Sequence, residues 1–269
     1  MRSRFLHPFL TLAAVALFAA PAFATPAVIV DTTATGPVKD GTVNAGEYVG
    51  ETVGVGSGFG DVIGGSSTLG VDSDEFGEVY FGLTRGPGGL FNDVVIYLDT
   101  GIGGFTTTAT FDDRIDGLRT AISGFGFNDA RATLNFAPGF DADYAIAFFS
   151  GFAGLWQLQE TGEHTFIADA GLVAASFDAN DPFFELSVQL SDLGLVPGNS
   201  FDYVVTYLNG GDAFRSNEFH GVASGPADNI GQAEYSLADG DFITFTTFEP
   251  PVSGAANSRG AIKAQDEPG

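Results

Sequence analysis

The chain has 269 residues, with 34 Asp and Glu against ten Lys and Arg, a formal net charge of −24 and no cysteine. That balance disfavours nucleic acid and anionic membrane as partners and removes disulfides as a source of stability. It also supplies many hard oxygen donors of the kind calcium prefers.

Residues 1–24 have the three parts of a secretory signal: Arg2 and Arg4, an apolar run from Phe9 to Ala20, and Ala22-Phe23-Ala24 before Thr25. Cleavage after Ala24 is expected, giving a secreted chain, extracellular or periplasmic, with a formal charge of −26 once Arg2 and Arg4 are gone. The apolar run is well short of the roughly 20 residues a spanning helix needs, and no later segment reaches that length, so no membrane span is expected. Residues 25–249 read as one domain, without a linker to divide them. Residues 250–269, opening on Pro250-Pro251 and rich in Gly, Ala and Ser, read as a disordered tail.

Period-two alternation with β-branched and aromatic enrichment predicts strands at 27–31, 67–72, 78–84, 93–99, 132–136, 144–149, 155–159, 183–190, 202–208 and 242–248. Gly/Asp/Asn turn clusters such as Arg85-Gly86-Pro87-Gly88 and Asn209-Gly210-Gly211-Asp212 separate them. Ten short strands and hardly any helical pattern predict an all-β, two-sheet antiparallel sandwich, jelly-roll-like or Ig-like. One helical turn is expected at 191–194. The 27 Phe are expected mainly between the sheets, where an aromatic ring buries a large area without needing a hydrogen-bond partner.

The run Asp40-Gly41-Thr42-Val43-Asn44-Ala45-Gly46-Glu47-Tyr48 resembles the "DG…GEY/GEW" opening of secreted sandwich domains related to family 9 carbohydrate-binding modules and the DOMON group. The strand Val94-Val95-Ile96-Tyr97-Leu98-Asp99-Thr100 is similar to their "YID" strand. The resemblance implies a β-sandwich that often holds structural calcium and binds a sugar or a cofactor. It also implies aromatic planes, commonly Trp, for sugar binding, for which this chain offers only Trp156. Haem-binding members use Met and His, and the sole Met here is Met1, so no haem is expected.

Candidate metal ligands fall in acidic clusters: Asp72, Asp74 and Glu75 after one strand, Asp112 and Asp116 in Asp112-Asp113-Arg114-Ile115-Asp116-Gly117, and Asp99 at a strand end. Asp141 and Asp143 form a further acidic pair. Close carboxylates repel one another unless solvated or bridged by a cation. For each cluster the alternative is a solvated acidic loop. The second cluster departs from a helix-loop-helix calcium site, with Arg114 at a ligand position and Ser123 where a Glu is needed.

The richest mix of functional side chains is Arg215-Ser216-Asn217-Glu218-Phe219-His220-Gly221. Extended, it places Glu218 and His220 on one face and Arg215, Asn217 and Phe219 on the other. Trp156, Arg215, Asn217, Glu218 and His220 are therefore the candidate ligand-binding residues. Purely structural roles are the alternative for the 215–220 segment. Past the signal only His164 and His220 remain, which disfavours a catalytic zinc. Gly56-Ser57-Gly58-Phe59-Gly60 imitates a dinucleotide fingerprint without its βαβ setting, so no nucleotide is expected. Three roles follow: a non-catalytic module, calcium-stabilised, contacting glycan or cell-surface polymer; a structural or surface-coating protein; and a glycoside hydrolase using two carboxylates.

Overall fold

The computed structural model describes residues 26–251, so the signal segment 1–24 and the tail beyond Pro251 lie outside the described residues. Two sheets face one another. The larger contains β1 (Ala27–Val30), β14 (Ile243–Thr246), β11 (Ser200–Asn209), β5 (Asp93–Asp99), β7 (Tyr144–Phe149), β8 (Phe152–Gln157) and β9 (Thr165–Asp169) in that order, with β12 (Phe214–His220) paired to β11. The smaller runs β10 (Phe183–Gln189), β4 (Glu78–Thr84), β3 (Thr68–Ser73), β2 (Gly50–Val53). A short parallel pair joins β13 (Tyr235–Ser236) to β6 (Leu134–Asn135). The expected all-β, two-sheet sandwich is present, antiparallel within the two main sheets except where β1 runs parallel to β14.

The central strands of the larger sheet are apolar on both faces, because both are covered. Val94, Ile96 and Leu98 of β5 join Ile146, Phe148, Phe201 and Tyr203 in the core between the sheets. Val95 and Tyr97 point the other way, into a second core. That second core is closed by the α1 helix (Gly117–Ser123) and by apolar side chains such as Phe111, Phe136 and Phe140 from the loops around it. The sandwich thus has a third layer that strand alternation alone does not disclose. α1 is capped at both ends: the Asp116 carboxylate accepts from Arg119 N at 2.9 Å, and Gly124 adopts φ 57°, the left-handed geometry that closes a helix. The cluster read as a possible calcium loop therefore contains a helix start.

The outer face of the smaller sheet explains the Asp40 to Tyr48 motif. Gly70, Gly82 and Glu185 are register neighbours across β3, β4 and β10. Tyr48 lies along this row, so closely that a Cβ at Gly82 would stand 2.4 Å from its Cζ and one at Gly70 2.5 Å from its Cγ. Its hydroxyl donates to Glu185 Oε1 at 2.9 Å, while Glu185 Oε2 accepts from Asp40 N at 2.9 Å and Gly41 N at 2.7 Å. The fully buried carboxylate fastens the first and last parts of the motif to the sheet. Charge-assisted bonds of this kind are about twice as strong as neutral ones.

Candidate functional site

β12 has the expected alternation, and its polar side chains are buried. Glu218 Oε1 accepts from Phe59 N at 2.6 Å, and Oε2 from Val62 N at 2.7 Å and Ile63 N at 2.9 Å. Asn217 Oδ1 accepts from Ser57 N at 3.1 Å and Gly58 N at 2.8 Å, and its amide donates to Pro226 O and Ala227 O. The stretch 56–63 is thus a cradle of backbone N–H groups, as in phosphate sites: Phe59, Val62 and Ile63 hold the protein's own Glu218, and Ser57 and Gly58 hold the Asn217 amide oxygen. Glycine is needed there, since a Cβ at Gly56 would fall 2.1 Å from Asn217 O.

His220 is 1% exposed, between Ser67 Oγ at 3.0 Å and Thr52 Oγ1 at 3.2 Å. Ser67 gives its only hydroxyl proton to Gly64 O at 2.8 Å, so His220 Nε2 donates to Ser67 and Nδ1 is left unprotonated beside Thr52 Oγ1, whose hydroxyl also lies 3.3 Å from Leu69 O. Burial keeps this imidazole neutral, with its pKa pushed down to about 3. A histidine donating to a fully buried serine is not placed to activate it as a nucleophile. Arg215 is fully buried; Nη1 donates to Thr206 Oγ1 at 2.8 Å, Nη2 to Ala132 O at 3.2 Å, and Nε has no partner. Burial lowers its pKa.

The acidic candidates are likewise engaged by the main chain. Asp72 accepts from Val49 N at 2.8 Å and Ser73 N at 2.7 Å; Ser73 N also donates to Asp31 at 3.1 Å. Burial first, and then the Asp31 charge, push Asp72 up to about 7. Asp74 accepts from Phe76 N, Glu78 N and the Tyr80 hydroxyl, each at 2.9 Å, while Glu75 is exposed. Asp99 accepts from Gly101 N at 2.8 Å and Asp141 N at 2.7 Å, and Asp112 from Gly162 N at 2.5 Å. Among the described residues, no group of three or more His, Asp or Glu is arranged to hold a metal ion.

Trp156 is different. It lines a cavity of about 400 Å3 whose floor is the outer face of the larger sheet. The register places Ala147 opposite Gly154 and Phe149 opposite Phe152, so Phe149, Phe152 and Trp156 share that face. Gly154 lets the indole lie back along β8, since a Cβ there would stand 2.6 Å from Trp156 Cη2. Asp93, at the start of β5, completes the floor, and Asp116, Gly117 and Leu118 at the start of α1 form the wall. The Trp156 indole N–H is buried without a hydrogen-bond partner. Asp93 accepts from Gly210 N at 3.2 Å; burial, with a smaller contribution from Asp116, pushes its pKa up to about 6.

Of the sequence candidates, then, Trp156 and Asp116 meet at one cavity, while Arg215, Asn217, Glu218 and His220 lie along one buried strand. Sequence reasoning missed Asp93, Phe149 and Phe152. The signal was available in Phe152-x-Gly154-x-Trp156, an alternation that puts two rings on one strand face with a glycine between them. Comparison with protein-family models, with curated proteins and with solved structures finds no match in any of the three.

Proposed function

We propose that the chain is a secreted, non-catalytic β-sandwich binding module whose cavity beside Trp156 takes a unit of a glycan or cell-surface polymer. The observation behind this reading is the combination in one cavity of three aromatic residues, Phe149, Phe152 and Trp156, with the two carboxyl groups of Asp93 and Asp116. Apolar walls with a few convergent polar groups are the usual make-up of a small-ligand site. Aromatic rings suit the C–H faces of a sugar, and carboxylates suit its hydroxyls. The resemblance at Asp40 to Tyr48 supports the same class.

Hydrolysis is the weaker use of this cavity. A glycosidase needs two carboxyl groups free to act on the scissile bond. Here Asp116 Oδ1 caps α1, and its Oδ2 accepts from Arg119 Nη1 at 3.1 Å. Self-association is the second reading, favoured by apolar side chains on edge strands: Val28 is 65% exposed on β1 and Val53 64% on β2. A panel of neutral, acidic and amino oligosaccharides, titrated by calorimetry with product analysis alongside and light scattering on the free protein, tests all three. Saturable binding without new reducing ends supports the module. An inert panel with concentration-dependent mass transfers the weight to self-association.

A further inference from the structure

The cavity beside Trp156 holds two carboxyl groups and no basic side chain among its lining residues. The two are not equivalent. Asp116 is matched by Arg119, whose guanidinium also lies 3.6 Å from Asp113. Asp93 forms no ion pair among the described residues and has only the Gly210 amide, at 3.2 Å, as a hydrogen-bond partner. A partly buried carboxylate without a counter-charge is costly, and burial accordingly pushes its pKa up to about 6. A cation seated beside it would remove that cost.

The neighbouring rings favour the same charge. Phe149, Phe152 and Trp156 line the cavity, and an aromatic ring attracts a cation that sits over its face through the ring quadrupole. A ligand that suits the cavity therefore joins a positive charge to a compact frame with an apolar face. The volume of about 400 Å3 sits at the small end of ligand pockets and suits a short saccharide segment. A net charge of −24 draws cations toward the surface from a distance.

We propose that the glycan unit bound here carries a protonated amine, as in a 2-amino-2-deoxy sugar, with the ammonium group against Asp93 and the ring against Phe149 and Phe152. This inference rests on the glycan reading above and narrows it to one chemical class.

The test uses the full chain and two probes, the glucosamine trisaccharide and its N-acetylated counterpart, titrated by calorimetry and by Trp156 fluorescence at low and high salt. The glucosamine trisaccharide is expected to bind about tenfold or more tightly than the acetylated one, and to weaken with salt as a charge contact does. Asp93→Asn keeps an oxygen for the Gly210 amide and removes a charge without a partner; it is expected to lower the affinity for glucosamine to that for the acetylated sugar, with a urea midpoint no lower than that of the parent chain. Phe149→Ala, at an exposed ring, is expected to weaken both sugars, the glucosamine trisaccharide at least as much as the acetylated one. Equal binding of the two probes, or undiminished glucosamine binding by Asp93→Asn, overturns the inference and leaves the glycan reading in place. If neither probe gives heat or a fluorescence change, the inference falls, and an inert wider panel is what would bring down the glycan reading.

Discussion

β12 and the cavity beside Trp156 draw on the same side-chain chemistry to opposite ends. In β12, Glu218 takes three backbone amides, Asn217 takes two and His220 sits between two hydroxyls. At the cavity, Asp93 has a single amide and no ion pair among the described residues. A dense run of functional residues in sequence proved to be internal scaffolding, although Arg215 Nε lacks a partner there, whereas the candidate cavity is assembled from β5, β7, β8 and α1. What separates the two here is how far the carboxylates are already engaged by the main chain.

The contrast breaks first at Glu218. Glu218→Ala strands three amides that its carboxylate now holds, and is expected to cost about 3 kcal/mol or more, enough to prevent folding of a marginal domain. Urea unfolding measures it, and a loss below about 1 kcal/mol would contradict the scaffold role of β12.

The next effect is on acid stability. His220 has a folded pKa near 3 against 6.5 for the free side chain. A depressed value means that the unfolded chain binds the proton first, so the stability linked to this group is present above about pH 6.5 and is lost as pH falls toward 3. Asp72, raised to about 7, acts in the opposite sense: its contribution is full below about pH 4 and is lost as pH rises through 7. Melting temperatures across this range are expected to flatten on the acid side in His220→Gln and on the neutral side in Asp72→Asn.

Substitutions in the cavity should cost no stability. Asp93→Asn is expected to leave the unfolding free energy at neutral pH unchanged or higher, because it removes a carboxylate without a counter-charge, while weakening ligand binding. A large loss of stability would place Asp93 with β12 as scaffolding. The smallest effect concerns calcium, which the resemblance implies. Its best-placed acids are Asp99 and Asp202, paired across β5 and β11, with Asp143, raised to about 6 chiefly by burial, beside them. Because backbone amides already engage Asp99, melting with calcium and with chelator is expected to differ by no more than a few degrees. A larger rise with calcium would make this corner a metal site.

The strands at 78–84, 93–99 and 144–149 were legible with the same bounds, because each has a long run of β-formers ending in turn residues. β2 and β9 were missed: each is short, at a sheet edge and largely exposed, so neither shows a clear apolar alternation. α1 escaped notice because seven residues are too few for a helical period, although Asp116 and Gly124 marked its ends. Trp156 stood out as the lone tryptophan. Asp93 could not, since its neighbours at Phe149, Phe152 and Gly117 meet it only through sheet pairing and the third layer.

The single tryptophan gives the most direct test of the central claim, that the cavity and not β12 meets the ligand. Titration of the glucosamine trisaccharide while following Trp156 emission should give a saturable change whose midpoint equals that from calorimetry and moves with Asp93→Asn. Calorimetric binding with Trp156 emission unchanged would put the ligand elsewhere on the molecule and contradict the account.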